Sequence, residues 1–191
     1  MKHNTHYFIA VPIEKEQQTI IQNWLATKKD KLPFQSWVHQ NDYHITLAFL
    51  GHVDSNHLLK QLSERINNKM ENIQPFILSL KDMNVFGRSD APRIFWAGVE
   101  DSISLDHLQS EVFQACTEIG FTLDSKPFRP HITLARRWKS ERPFEKTEEF
   151  QQAFSNIQAP FRVNKIHLYR THLDRSPKYE AIEVFPLQGE Q

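Results

Sequence analysis

One cysteine, Cys116, stands among 191 residues, so the chain can form no internal disulfide and no cysteine-based metal cluster. A surplus of basic charge is missing too. Lys and Arg number 23 and Asp and Glu 23, giving a net charge of zero with histidine neutral. Proteins that grip long nucleic acid carry a basic excess, because phosphate neutralisation drives much of that binding. Any nucleic-acid contact here is therefore expected to be short, at a chain end or on a small nucleotide. No apolar run approaches the roughly 20 residues that cross a bilayer. The opening Met1-Lys2-His3-Asn4-Thr5 has no apolar stretch like that of a secretory signal. The expected setting is the cytoplasm.

What the chain has is an ordinary globular composition. Hydrophobic residues make up 39% and charged residues 24%, with 14 Phe and 4 Trp to fill a core. Its length suits one substantial domain or two small lobes sharing a core. The first strand is expected at His6–Pro12, followed by a helix over 14–28 with Ile20, Ile21, Trp24 and Leu25 buried. A strand over 43–50 leads to a helix capped by Asp54 or Ser55 and carrying Leu58, Leu59, Leu62 and Ile66. Strands over 75–86 and 93–99 flank the turn Gly87–Pro92. A helix capped by Ser104 and ended by Gly120 comes next, then a strand over 131–137. A short helix over 147–154 and strands over 161–171 and 179–185 close the chain. No linker or low-complexity stretch separates the halves.

One feature rises above this background. His44-Ile45-Thr46-Leu47 recurs letter for letter as His131-Ile132-Thr133-Leu134, both times in strand-like sequence. A single copy is merely a good strand sequence; two copies in matched contexts imply a shared site. Side chains alternate across a strand, so His and Thr share one face while Ile and Leu anchor the other. Two such strands facing each other line a cleft with two imidazoles and two hydroxyls. That set suits phosphodiester chemistry. Histidine, with a pKa of about 6.5, is available both as proton acceptor and as proton donor near neutral pH. Positioned acid–base catalysis contributes roughly 10²–10⁴-fold. Threonine hydroxyls can donate to non-bridging oxygens as their charge grows.

With these motifs on the page, the sequence resembles the 2H phosphoesterases, named for two H-x-[ST]-x motifs. Within them it is most similar to the RNA 2′,3′-cyclic phosphodiesterases, also called 2′-5′ RNA ligases. The resemblance runs through Tyr7-Phe8-Ile9-Ala10-Val11, His44–Gly51 and Pro130–Arg136. It implies an α+β, bilobal, pseudo-twofold fold in which two mainly antiparallel sheets line a central cleft with helices outside. It implies one bilobal domain spanning residues 1–191, a metal-independent reaction and no cofactor. It also implies that His44 is the proton donor to the 3′ oxygen, that His131 is the base toward water, and that the product carries a 2′-phosphate. The partners it implies are RNA 3′ ends or small cyclic nucleotides; no membrane partner is expected, and the chain is expected to be a monomer.

Around this centre, Thr46 and Thr133 are candidate phosphate contacts. Strict alternation puts Arg137 on the His131 face, whereas the family pattern favours Arg136; Arg136 reaches the cleft only through a bulge or a strand end. Arg129 is a further candidate. Tyr43 and Phe49, and after them Phe128 and Trp138, are candidate stacking partners for a terminal base. His39, His44 and His52 lie close in sequence but lack the zinc-binding His-Glu-x-x-His pattern, and no metal is expected. Cys116 fits the buried face of its helix. The same chemistry also admits ADP-ribose 1″,2″-cyclic phosphate or 2′-5′-linked oligonucleotides as substrate, and 2′-5′ ligation as the reverse reaction. A non-catalytic RNA-end binder is the reading from another class; the paired proton carriers argue against it.

Overall fold

The computed structural model describes residues 5–189. Nine strands and four α-helices follow in the order β1 (His6–Pro12), α1 (Lys15–Ala26), β2 (Phe34–Trp37), β3 (His44–His52), α2 (Asn56–Met70), β4 (Phe76–Gly87), β5 (Pro92–Val99), α3 (Ile103–Glu118), β6 (Ile132–Trp138), α4 (Glu148–Gln151), β7 (Pro160–Val163), β8 (Lys165–Thr171) and β9 (Tyr179–Pro186). The path across the sheet is β7-β4-β5-β6-β3-β1-β8-β9, with every pairing antiparallel. It is an α+β fold of two four-stranded halves. The halves meet where β3 touches β6 at Ile45 and Ile132. Beyond that point β3 diverges, and β2 takes its place along β6, pairing Phe34 with Trp138 and Trp37 with Ala135. The two motif strands therefore occupy the centre of the sheet and splay apart there.

Alternation decides which side of each strand is buried. In β1, Ile9 and Val11 point into the main core, while Phe8 and Ala10 pack on the other face with Tyr169. Ile45, Leu47, Ile132 and Leu134 all join the main core, each contributing roughly 1.5–3 kcal/mol by burial. The helices cover that face. Helix α1 buries Ile21 and Leu25, α2 buries Leu62, Ile66 and Met70, and α3 buries Leu105, Leu108, Val112 and Cys116. Ser55 caps α2, accepting from the Leu58 amide at 3.2 Å.

Several local details differ from expectation. The cap of α3 is Ser102, which accepts from the Leu105 amide at 3.2 Å; Ser104 lies inside the helix. Gly120 does end that segment, at φ +99°, in the left-handed region that favours glycine. Asn164 divides the expected 161–171 strand into β7 and β8, and these pair with opposite ends of the sheet. Strand β2 was not expected, and α4 is a single turn.

Candidate active site

The two tetrapeptides carry the same irregularity. Along β1, Ala10 faces Thr46 and Ile9 faces Ala48, so Leu47 is an extra residue in β3. Along β5, Trp96 faces Thr133 and Phe95 faces Ala135, so Leu134 is an extra residue in β6. Each is a β-bulge, and each shifts the alternation by one. Leu47 and Ala48 are buried in succession, as are Leu134 and Ala135. Phe49 and Arg136, each five residues after a motif histidine, thereby return to the His and Thr face. The bulge puts Arg136, rather than Arg137, on that face. Arg136 lies on the cleft side, where its charge acts on both histidines, and Arg137 takes a left-handed φ of 62° at the strand end.

Pairing of Ile45 with Ile132 sets the geometry of the centre. Continued one residue each way, this antiparallel register sets His44 opposite Thr133 and Thr46 opposite His131.

Both imidazoles are held alike. Nδ1 of His44 donates to the Asp42 carbonyl at 2.7 Å, and Nδ1 of His131 donates to the Arg129 carbonyl at 2.7 Å. A carbonyl only accepts, so the neutral ring keeps its proton on Nδ1 and leaves Nε2 for chemistry. His44 Nε2 accepts from the Thr46 hydroxyl at 3.1 Å. Aromatic rings surround each histidine. Phe8 lies 4.8 Å and Tyr179 5.2 Å from His44, while Phe86 lies 4.9 Å and Trp96 6.0 Å from His131. Burial among these rings disfavours the charged imidazolium and lowers the His44 pKa to about 4, against the opposing pull of its bond to Asp42. The positive charges of His131 and Arg136 lower it further. Burial also lowers the His131 pKa, with Arg136 adding to the effect.

A groove of about 950 Å³ opens beside this centre, lined by Thr46, Phe49, Phe86, Phe128, Arg129 and His131 among others. Phe49 is 56% exposed there. Two other aromatic candidates do not reach it. Tyr43 is buried, and Gln22 donates to its hydroxyl at 2.5 Å. It immediately precedes β3 and packs in the main core. Trp138 packs on Phe34 and Phe144 and donates to the Arg142 carbonyl. Among the described residues, no three His, Cys, Asp or Glu side chains cluster to hold a metal.

Residues 12–175 match the 2′-5′ RNA ligase superfamily. The chain belongs to that family. It is 43% identical over 185 residues to an RNA 2′,3′-cyclic phosphodiesterase of Geobacillus stearothermophilus, covering 97% of this chain but 58% of that protein. The chain thus spans little more than half of that relative. A protein of the same name from Bacillus subtilis is 36% identical over 183 residues, covering 95% of this chain and 96% of the other. The fold matches Escherichia coli LigT crystallised with 3′-AMP at a TM-score of 0.78 and 24% identity, covering 96% of this chain and 98% of that one. No helix among the described residues of this superfamily member is long and apolar enough to cross a membrane.

Several residues at the site were not anticipated from sequence. Asp42, Phe8, Tyr169 and Tyr179 surround His44, and Phe86 and Trp96 flank His131. In both copies the residue two before the histidine supplies the carbonyl that fixes it, a contact of the backbone that no residue type signals.

Proposed function

We propose that this protein is a metal-independent phosphodiesterase that opens 2′,3′-cyclic phosphate ends of RNA or nucleotides to the 2′-phosphate, working as one bilobal unit. The observation that carries this reading is the meeting of the two motifs at the Ile45–Ile132 pairing, with both imidazoles held alike through Nδ1. The names of the two relatives support it.

In this scheme water attacks phosphorus and His131 Nε2 takes its proton. His44 gives a proton to the departing 3′ oxygen, which leaves as a hydroxyl. Thr46, Thr133 and Arg136 donate to the non-bridging oxygens, where negative charge grows. Phe49 and Phe128 offer their ring faces to the terminal base. In the unliganded protein His44 is neutral at pH 7, because its pKa is about 4. The substrate restores its proton: one negative charge about 4 Å away is worth about 4 kcal/mol at an effective dielectric constant near 20, or about three pH units. The phosphate thereby charges the acid that will cleave it.

The test offers a 2′,3′-cyclic mononucleotide in the presence of EDTA and identifies the product isomer. Turnover to the 2′-phosphate supports the proposal. Binding without turnover across cyclic substrates favours a binding protein instead, and loss of turnover on adding EDTA contradicts the metal-free scheme.

A further inference from the structure

The two motif histidines are clamped by the same kind of backbone bond, but only one clamp is itself tied down. Arg129, whose carbonyl holds His131, has an exposed side chain. Asp42, whose carbonyl holds His44 at 2.7 Å, is only 4% exposed. Its carboxylate reaches the start of β9, where Oδ2 accepts from the Lys178 amide at 2.8 Å and Oδ1 from the Tyr179 amide at 3.0 Å. Burying a carboxylate is costly unless its oxygens are bonded, and here each oxygen takes one amide. The Asp42 amide in turn donates to the His39 carbonyl at 2.8 Å. Side chain and backbone thus fix this residue from two directions, and its carbonyl with it. Around His44 stand Phe8 of β1, Tyr169 of β8 and Tyr179 of β9, the positive charges of His131 and Arg136 from the second motif, and the negative charge of Asp42.

We infer that Asp42 is a positioning residue for His44: its carboxylate, tied to two amides of β9, holds the carbonyl that fixes the imidazole as the Nδ1–H tautomer. The inference rests on the proposed hydrolase reading for its effect on turnover, but not for its hold on the ring. The asymmetry between the two clamps suits the proposed division of labour. An acid must keep its proton until the leaving oxygen needs it, and a carboxylate beside His44 favours the imidazolium. His131, as the base, is better without one. Asp42 acts through His44 rather than on the substrate.

The experiment compares wild type with Asp42→Asn on the full chain. It reads the histidine tautomers by nitrogen NMR at pH 8, where the rings are neutral, and kcat on a 2′,3′-cyclic mononucleotide. Asparagine keeps the size of the side chain but turns an NH2 group toward one of the two amides, so one bond and the charge are lost. Wild type is expected to show Nδ1–H at both motif histidines. In Asp42→Asn, His44 is expected to populate the Nε2–H form while His131 stays as it was. At the same time kcat falls by about tenfold, as for a lost hydrogen bond to a charged group, and its alkaline limb moves to lower pH. A merely structural Asp42 would lower thermal stability and leave the His44 tautomer in place; that result, or an equal change at His131, overturns the inference. Should the Asn variant not fold, wild type carries the test through the Lys178 and Tyr179 amides, expected to exchange at least about 100-fold more slowly than free peptide. Unprotected amides, or Nε2–H at His44 in wild type, overturn the inference as well. If wild type turns over no cyclic phosphate while the tautomer change at His44 persists, the hydrolase reading fails and the positioning role stands.

Discussion

Leu47 and Leu134 are each one residue more than the neighbouring strand can pair, at the same point of two identical tetrapeptides. The coincidence has a chemical consequence. Without the extra leucine, the fifth residue after each histidine faces the core; with it, that residue faces the cleft. One half of the sheet uses the position for Phe49, an aromatic ring on the groove, and the other for Arg136, a fixed positive charge. A symmetric backbone thus presents an asymmetric site. The neighbouring strands repeat the contrast, with Ala10 facing Thr46 and Trp96 facing Thr133.

The bulge separates two adjacent arginines. Arg136→Ala is expected to lower kcat/KM by roughly 10- to 150-fold, the range of a lost hydrogen bond to a charged group. Arg137→Ala is expected to stay within about twofold, as an exposed substitution away from the centre. Steady-state kinetics on a cyclic mononucleotide compares them directly, and equal losses contradict the geometry.

Proton uptake on binding gives a pH signature. Burial lowers both histidine pKa values in the free protein, and an anion between them favours their charged forms. Affinity for phosphate is therefore expected to weaken as pH rises from 5 to 8. The alkaline limb of kcat should lie at higher pH than that of kcat/KM, since the first reports the complex and the second the free enzyme. Phosphate affinity independent of pH contradicts this.

The same shifts govern stability. His44 is held below its unfolded value of about 6.5, so the unfolded chain binds the proton more readily between that pH and about 4. Stability is then complete above pH 6.5 and falls as pH drops toward 4, by roughly 3 kcal/mol from this group. Urea denaturation at pH 7 and pH 4.5 measures the loss, and His44→Gln should reduce it.

Two aromatic residues near the first motif should behave oppositely. Phe49→Ala is expected to raise KM for a cyclic nucleotide, by the roughly 1–3 kcal/mol of one stacked base, with little effect on stability. Tyr43→Phe should leave KM unchanged and cost roughly 1 kcal/mol of stability through the lost Gln22 bond. Thermal unfolding paired with kinetics tests both.

Legibility in the sequence followed the range of the interaction. The duplicated tetrapeptide was readable because its chemistry and its alternation both lie within four residues. The helices were readable from apolar spacing. Ser102 and Ser104 both suit a cap, and only the bond to Leu105 distinguishes them. Strand β2, four residues long, has too little pattern to register. Nearness to His44 in sequence suggests Tyr43 as a stacking partner, but its ring is buried in the main core. The roles of Asp42 and Tyr179 depend on contacts across 137 positions of chain, and no local spacing encodes them. The bulges were required by the conflict between Arg136 and Arg137, but pairing partners were needed to locate them.

The most direct test of the account is turnover of a 2′,3′-cyclic mononucleotide by wild type, His44→Ala and His131→Ala, with the product isomer identified. The account predicts a 2′-phosphate from wild type and a loss of at least about 10²-fold in kcat for each variant. A variant that retains wild-type turnover, or a 3′-phosphate product, contradicts it.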